Sequence, residues 1–252
     1  MADLTDTVAL VTGGNGGLGL GIAEALAAAG ADIAVWGRNK AKNDLAVGRL
    51  ESSGRRVHAV VCDVSNEDDV VDAFEETVAA LGKVDACFAN AGVNGPVRPF
   101  AELSLDEWRR TLAINLDGAM LTLREAAKHM IARGEGGSLV AVSSIAAIDG
   151  APGMLGYASS KSALLGLMRG LAVELARHRI RCNSLLPGWT ATEMTGPQSA
   201  HHRFMDVLIQ RTPVRRFAIP SDYADIAVFL AGKEPLFHTG DDLVVDGGYT
   251  KF

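Results

Sequence analysis

Short apolar runs rich in Val, Ile and Ala alternate along the chain with longer segments whose apolar residues recur at helical spacing. Residues 8–11 (Val-Ala-Leu-Val) predict a strand, and the Ala-rich stretch 18–29 predicts a helix that stops at Gly30. Residues 33–36 predict the second strand, and a polar helix follows over about 40–53, stopped by Gly54. Residues 57–61 predict a third strand and 66–81 a helix ending at Gly82, before a fourth strand at 84–89. One long amphipathic helix is expected over about 105–132, then a strand at 138–142, a helix over 157–177 and a strand at 180–186. Past an irregular segment containing Pro and Gly, helices are expected near 200–210 and 221–230, with a last short strand at 243–245.

Strands that are apolar almost throughout, each followed by a helix, imply a parallel sheet buried on both faces. Right-handed crossovers then make the expected fold class α/β, a doubly wound Rossmann fold: a seven-stranded, mainly parallel sheet with helices on both faces. No linker, charge block or low-complexity run interrupts the rhythm, so residues 1–252 are expected to form a single domain.

Composition removes several alternatives. The chain has 252 residues, 48% of them hydrophobic, and a formal net charge of −6, which lacks the basic excess of a duplex nucleic-acid binder. Cys62, Cys87 and Cys182 are odd in number, far apart and without a CxxC, as expected of core residues in a reducing compartment. The six histidines show no metal-ligand spacing, so no metal site is expected. The first residues have neither a basic start nor an apolar core, and no stretch of about 18 apolar residues occurs. A cytoplasmic protein with no membrane partner is expected.

The glycines carry the first chemical signal. Thr12-Gly13-Gly14-Asn15-Gly16-Gly17-Leu18-Gly19 follows the first strand and opens the first helix. It holds both GxGxxG (Gly14, Gly16, Gly19) and TGxxxGxG (Thr12, Gly13, Gly17, Gly19). A pyrophosphate at a helix N-terminus needs bare backbone N–H groups and no Cβ in its way, which is what this strand–loop–helix context supplies. Gly13, Asn15, Gly16, Gly17, Leu18 and Gly19 are therefore candidate dinucleotide contacts. An acidic residue closing the second strand would hold an NAD ribose. That end reads Trp36-Gly37-Arg38-Asn39-Lys40, with no carboxylate. Arg38 suits a 2′-phosphate, Lys40 and Lys42 add positive potential, and Asn39 lies beside them, so NADP(H) is favoured and NAD(H) remains possible.

Tyr157-Ala158-Ser159-Ser160-Lys161 opens the helix after the fifth strand. The i,i+4 spacing puts phenol and ammonium on one face, where the cation shifts a phenol of pKa about 10 toward working pH. Two helix-surface residues would show the same spacing, and the rest of the pattern decides. Asn90-Ala91-Gly92 follows the fourth strand, Asn115 lies in the long helix, Ser143-Ser144 follows the fifth strand, and Pro187-Gly188 with Thr192 follows the sixth. Taken together these motifs resemble the single-domain short-chain dehydrogenase/reductase family over essentially the whole chain.

The resemblance implies an NAD(P)-dependent alcohol dehydrogenase or carbonyl reductase acting on a small ketone or secondary alcohol. Tyr157 would move the proton at the substrate oxygen. Lys161 would lower the tyrosine pKa and bond the nicotinamide ribose. Ser144 would hydrogen-bond the carbonyl, with Ser143 its rival, and Asn115 would hold a water linking Lys161 to solvent. Asp63 and Val64, ending the third strand, would meet the adenine; Asp63 could instead cap the next helix. Asn90, Ala91 and Gly92 would underlie the adenine ribose. Pro187, Gly188 and Thr192 would meet the carboxamide, with Thr190 competing. Some NADP-preferring members carry a basic residue where this chain has Gly16, so the phosphate preference rests on Arg38. A substrate lid is expected over about 189–217, in which Trp189, Met194, Phe204, Met205 and Phe217 either line an apolar pocket or pack the lid against the body. The family also implies a homotetramer, with an interface on the long helix and its neighbour and another at the C-terminal strand. A 3-oxoacyl-thioester (acyl-carrier-protein) reductase, an NAD-dependent sugar or polyol dehydrogenase and a non-catalytic redox sensor are the rival readings. A sensor need not keep Asn115, Ser144, Tyr157 and Lys161, and all four stand here.

Overall fold

A computed structural model describes residues 3–193, 202–233 and 237–251, leaving aside the side chains of 202–204. The strands are β1 (Val8–Thr12), β2 (Asp32–Trp36), β3 (Val57–Val60), β4 (Ala86–Ala89), β5 (Gly137–Val142), β6 (Ile180–Pro187) and β7 (Asp242–Val245). The helices are α1 (Gly17–Ala28), α2 (Lys40–Leu50), α3 (Glu67–Leu81), α4 (Leu105–Leu112), α5 (Gly118–Arg133), α6 (Leu155–Leu175), α7 (His202–Arg211) and α8 (Ala224–Ala231). The sheet runs β3-β2-β1-β4-β5-β6-β7, and every pairing among the described strands is parallel.

Period-two alternation divides each strand between two cores. Val8 and Leu10, Ala34 and Trp36, Cys87 and Ala89, and Leu139 and Ala141 face the core shared with α3, α5 and α6. Their neighbours Ala9 and Val11, Ile33 and Val35, Ala86 and Phe88, and Val140 and Val142 face α1 and α8 on the other side. The three cysteines are buried and unpaired. Among the described residues no helix is long and apolar enough to cross a membrane.

The expected long helix runs from Leu105 to Arg133 with a π turn inside it. Between α4 and α5, residues Ala113–Asp117 form a π turn in which the Gly118 N–H reaches the Ala113 carbonyl. A π turn inserts one residue into the 3.6 repeat and re-aims the side chains within it, here those around Asn115. Other boundaries moved by a turn or less. β3 stops at Val60, so Asp63 and Val64 lie beyond the strand, and α3 is capped by Asn66 rather than Asp63. The order reverses between β1 and β4, and the loops leaving the carboxyl ends of both meet in the crevice where this architecture takes ligands.

The opposite edge is pinned by one buried carboxylate. Asp85, 3% exposed, accepts from the Val8 N–H at 2.9 Å and the Arg133 guanidinium at 2.7 Å, and pairs with Lys83 at 3.0 Å. Burial alone would raise its pKa, but these three donors hold the carboxyl below its usual range. Asp85→Ala strands the Val8 N–H and a half-buried guanidinium, and is expected to lower unfolding stability by about 3 kcal/mol in denaturant titration. A carboxyl with a lowered folded pKa contributes its stability above the unfolded value, so the deficit should be full at neutral pH. It should vanish as pH falls below the usual carboxylate range. A deficit under about 0.5 kcal/mol at pH 7 would contradict this reading.

Candidate active site

The glycine loop is held in place by its neighbours. Gly13 sits at φ +64°, and a Cβ on Gly19 would lie 2.3 Å from the Gly13 carbonyl oxygen and 2.4 Å from Asn90 Nδ2, so no larger residue fits at Gly19. The Thr12 hydroxyl accepts from the N–H groups of Asn90 and Ala91, both at 3.0 Å, and Asn90 Nδ2 donates to the Thr12 carbonyl at 2.8 Å. Those bonds fasten the end of β1 to the loop after β4. Gly16, in extended backbone, has open space where its Cβ would stand. The loop thus presents bare backbone at the N-terminus of α1, which fits a pyrophosphate.

Asn15 donates to Asn43 Oδ1 at 2.6 Å, and buried Asn43 donates to the carbonyls of Gly37 at 2.9 Å and Val60 at 3.1 Å. One amide therefore ties the glycine loop, the end of β2 and the end of β3. Asn39 accepts from the Lys42 N–H and caps α2. Arg38 is largely exposed and stands 3.8 Å from Asp63. Asp63 accepts from the Ser65 hydroxyl at 2.7 Å and its N–H at 3.1 Å. The Ser65 hydroxyl is the main reason the Asp63 carboxyl lies below its ordinary value, with Arg38 a lesser cause.

Across the crevice, Lys161 is 4% exposed and donates to the Val142 carbonyl, the last of β5, at 2.7 Å. Its ammonium lies 5.7 Å from the centroid of the Tyr157 ring. Burial pushes the Lys161 pKa down to about 8. Tyr157 is raised by burial, partly offset by a hydrogen bond with the Ser144 hydroxyl. Burial therefore holds the phenol above its ordinary value rather than below it. The two serines separate by partner: Ser143 donates to the Lys161 carbonyl at 2.8 Å, and Ser144 meets the phenol.

Asn115, fully buried, accepts from the Val93 N–H at 2.8 Å, and donates to the Val93 carbonyl at 2.9 Å and to Ser160 Oγ at 3.1 Å. Both amide hydrogens are used, so of the side chain only the second lone pair of Oδ1 is left for the expected water. A Cβ on Gly92 would lie 3.2 Å from Asn115 Oδ1 and 3.4 Å from Lys161 Nζ, which places the Asn90-Ala91-Gly92 loop directly against both.

Beyond β6, Pro187 is the last strand residue, and the Gly188 N–H donates to the Val245 carbonyl at 2.9 Å. The buried Thr190 hydroxyl bonds the Tyr223 hydroxyl at 2.7 Å and the Gly188 carbonyl at 3.0 Å. Thr192 lies over the glycine loop, 3.5 Å from where a Cβ on Gly17 would be. Trp189 stacks on Phe217 at 6.4 Å and meets Tyr249 edge-on, in a cluster with Ile145 and Leu208. Those two aromatics pack the segment against the body. Met194 and the side chain of Phe204 lie outside the described residues, and Leu18, behind the loop, packs into the α1 core. Asn43, Ser160 and Tyr223 were not identifiable from the sequence, since each acts through contacts with segments distant in the chain.

A family model described as enoyl-(acyl carrier protein) reductase matches residues 13–250. L-rhamnose 1-dehydrogenase (NAD(P)(+)) of Sphingomonas sp. (strain SKA58) is 37% identical over 240 residues, covering 95% of this chain and 94% of that protein. A short-chain type dehydrogenase/reductase from Mycobacterium marinum superposes with a TM-score of 0.93 at 32% identity, covering 98% and 97% of the two chains. A gluconate 5-dehydrogenase from Burkholderia cenocepacia J2315, in complex with NADP and tartrate, gives 0.93 at 33% identity, covering 99% and 97%. With the glycine loop, the Ser144–Tyr157–Lys161 cluster and Asn115 placed as described, the chain belongs to the short-chain dehydrogenase/reductase family.

Proposed function

We propose that the protein is an NADP(H)-dependent oxidoreductase interconverting a ketone and a secondary alcohol, with Tyr157 as general acid and base. The observation that carries this reading is the buried Lys161 ammonium 5.7 Å from the centroid of the Tyr157 ring, with the Ser144 hydroxyl close enough to the phenol to offset part of its burial. Gly13, Asn15, Gly16, Gly17 and Gly19, with Asp63, Val64, Asn90, Ala91, Gly92 and the segment from Pro187 through Thr192, would hold the coenzyme. The coenzyme supplies the hydride donor or acceptor when bound. Tyr157 gives its proton to the substrate carbonyl oxygen in reduction and takes the hydroxyl proton in oxidation. Ser144 donates to the same oxygen and stabilises the charge that develops there. Lys161, with a pKa near 8, is mostly protonated at neutral pH and opposes the burial that keeps the phenol neutral. Asn115 is a positioning residue that fastens the π turn to Val93 and to α6.

Arg38 supports the phosphorylated coenzyme, since it is exposed at the end of β2 and held only loosely by Asp63. A second substrate reading, a sugar or sugar acid, is favoured by an ion pair that ties the loop after Ser144 to α7. Arg211 on α7 bonds Asp149 at 3.1 Å, five residues beyond Ser144. For the assembly we propose a homotetramer. The outer faces of α5 and α6 form an apolar groove lined by Met120, Ile131, Leu167 and Leu171, as a partner copy of the same helices would require. The buried cysteines agree with a cytoplasmic location.

Tyr157→Phe should lower turnover by about 10²- to 10⁴-fold on any ketone or alcohol that a substrate panel shows the wild type to use, with coenzyme affinity little changed. Near-wild-type turnover in that variant would refute the proton-transfer role. Arg38→Ala should weaken NADP⁺ by about tenfold or more relative to NAD⁺ in equilibrium titrations, as loss of a charge-assisted contact implies. An unchanged affinity ratio would remove the 2′-phosphate argument.

A further inference from the structure

Lys42 and Glu193, 151 residues apart, form an ion pair at 2.6 Å. Their neighbours grip the glycine loop from its two sides. Asn43, next to Lys42, accepts from Asn15 at 2.6 Å. Thr192, next to Glu193, lies against Gly17. The ion pair therefore completes a ring around the loop, made of α2, the loop itself and the segment leaving β6.

The two charges are held lightly. Lys42 is 46% exposed and Glu193 77%, so the pair can open and meet other ions. The Lys42 backbone is fixed in the first turn of α2 by the Asn39 cap, four residues beyond Arg38. That turn carries no acidic residue, so the positive end of the helix is uncompensated there. Lys40 pairs within its own helix with Asp44 at 2.9 Å, whereas Lys42 pairs across to the segment leaving β6, so Lys42 is the cation whose recruitment by an anion beside Arg38 would open the ring. A phosphate monoester carries about twice the charge of a carboxylate at neutral pH and offers three acceptor oxygens. It would win Lys42 from Glu193.

We propose that the Lys42–Glu193 pair is a latch over the coenzyme cradle that distinguishes coenzymes by their rate of exchange. The latch stays closed over a coenzyme without a 2′-phosphate and slows its release. A 2′-phosphate draws Lys42 away, so a phosphorylated coenzyme is held by its own contact to Lys42 rather than by the latch. Glu193 thereby acts on NAD(H) alone, and Lys42 acts on both. The inference rests on reading the glycine loop as the cradle.

The test is stopped-flow release of NADH and of NADPH, followed by coenzyme fluorescence, in the wild type, Glu193→Ala, Lys42→Met and the exchanged pair Lys42→Glu/Glu193→Lys. Glu193→Ala should speed NADH release about two- to fivefold, the range an exposed ion pair supports, and leave NADPH release within error. Lys42→Met should speed both. The exchanged pair should return NADH release to near the wild-type rate while NADPH release stays as fast as in Lys42→Met. The proposal is overturned if Glu193→Ala leaves NADH release unchanged, or if the exchanged pair releases NADH as fast as the single variants. Arg38→Ala separates the two readings: an unchanged NADP⁺/NAD⁺ ratio there would overturn the 2′-phosphate argument, while the NADH measurements still decide the latch.

Discussion

One buried ammonium constrains the site more than any other group. Lys161 lies almost wholly out of water, with the last carbonyl of β5 as its hydrogen-bond acceptor and, among the described residues, no carboxylate paired with it. Burying a cation this way is costly, and it lowers the Lys161 pKa to about 8. The cost is useful only because the same pocket holds a phenol whose charged form burial also disfavours. Burial pushes each group toward its neutral form. Side by side, the cation can offset what the phenol loses, and a proton can move at an oxygen otherwise unwilling to release it.

That arrangement needs the loops at the carboxyl edge of the sheet to be fixed relative to one another, and they are tied in pairs. Thr12 and Asn90 join the loops after β1 and β4; Asn43 joins those after β1, β2 and β3. Asn115 joins the loop after β4 to α6, and Ser143 joins the end of β5 to the Lys161 backbone. Buried amides and hydroxyls suit this task, since each can donate and accept at once. The two cores on either side of the sheet hold the strands, and the polar ties hold the edge.

The sheet was legible in the sequence because apolar strands and amphipathic helices obey different periods and glycines mark their ends. The glycine loop and the Tyr157–Lys161 pair were legible too, since both are local spacings. The π turn at Asn115 was not: apolar residues run on at helical spacing through 105–132, and one inserted residue leaves no mark on that pattern. The sequence does not choose between pocket and body for Trp189 and Phe217, because an aromatic side chain serves either use and only its neighbours decide. Asn43 and Glu193 carried no signal at all. Their partners lie 28 and 151 residues away, beyond anything periodicity or motif spacing can relate.

The central claim is that Lys161 is a cation whose proton is loosened by burial beside the phenol. The direct measurement is the titration of ¹³Cε-labelled lysine by NMR in the coenzyme-free protein, with the Lys161 resonance identified by its loss in Lys161→Met. The account predicts a midpoint near pH 8 for that resonance. A midpoint at the ordinary lysine value of 10.5 would show an ammonium as well solvated as a surface lysine and would contradict it.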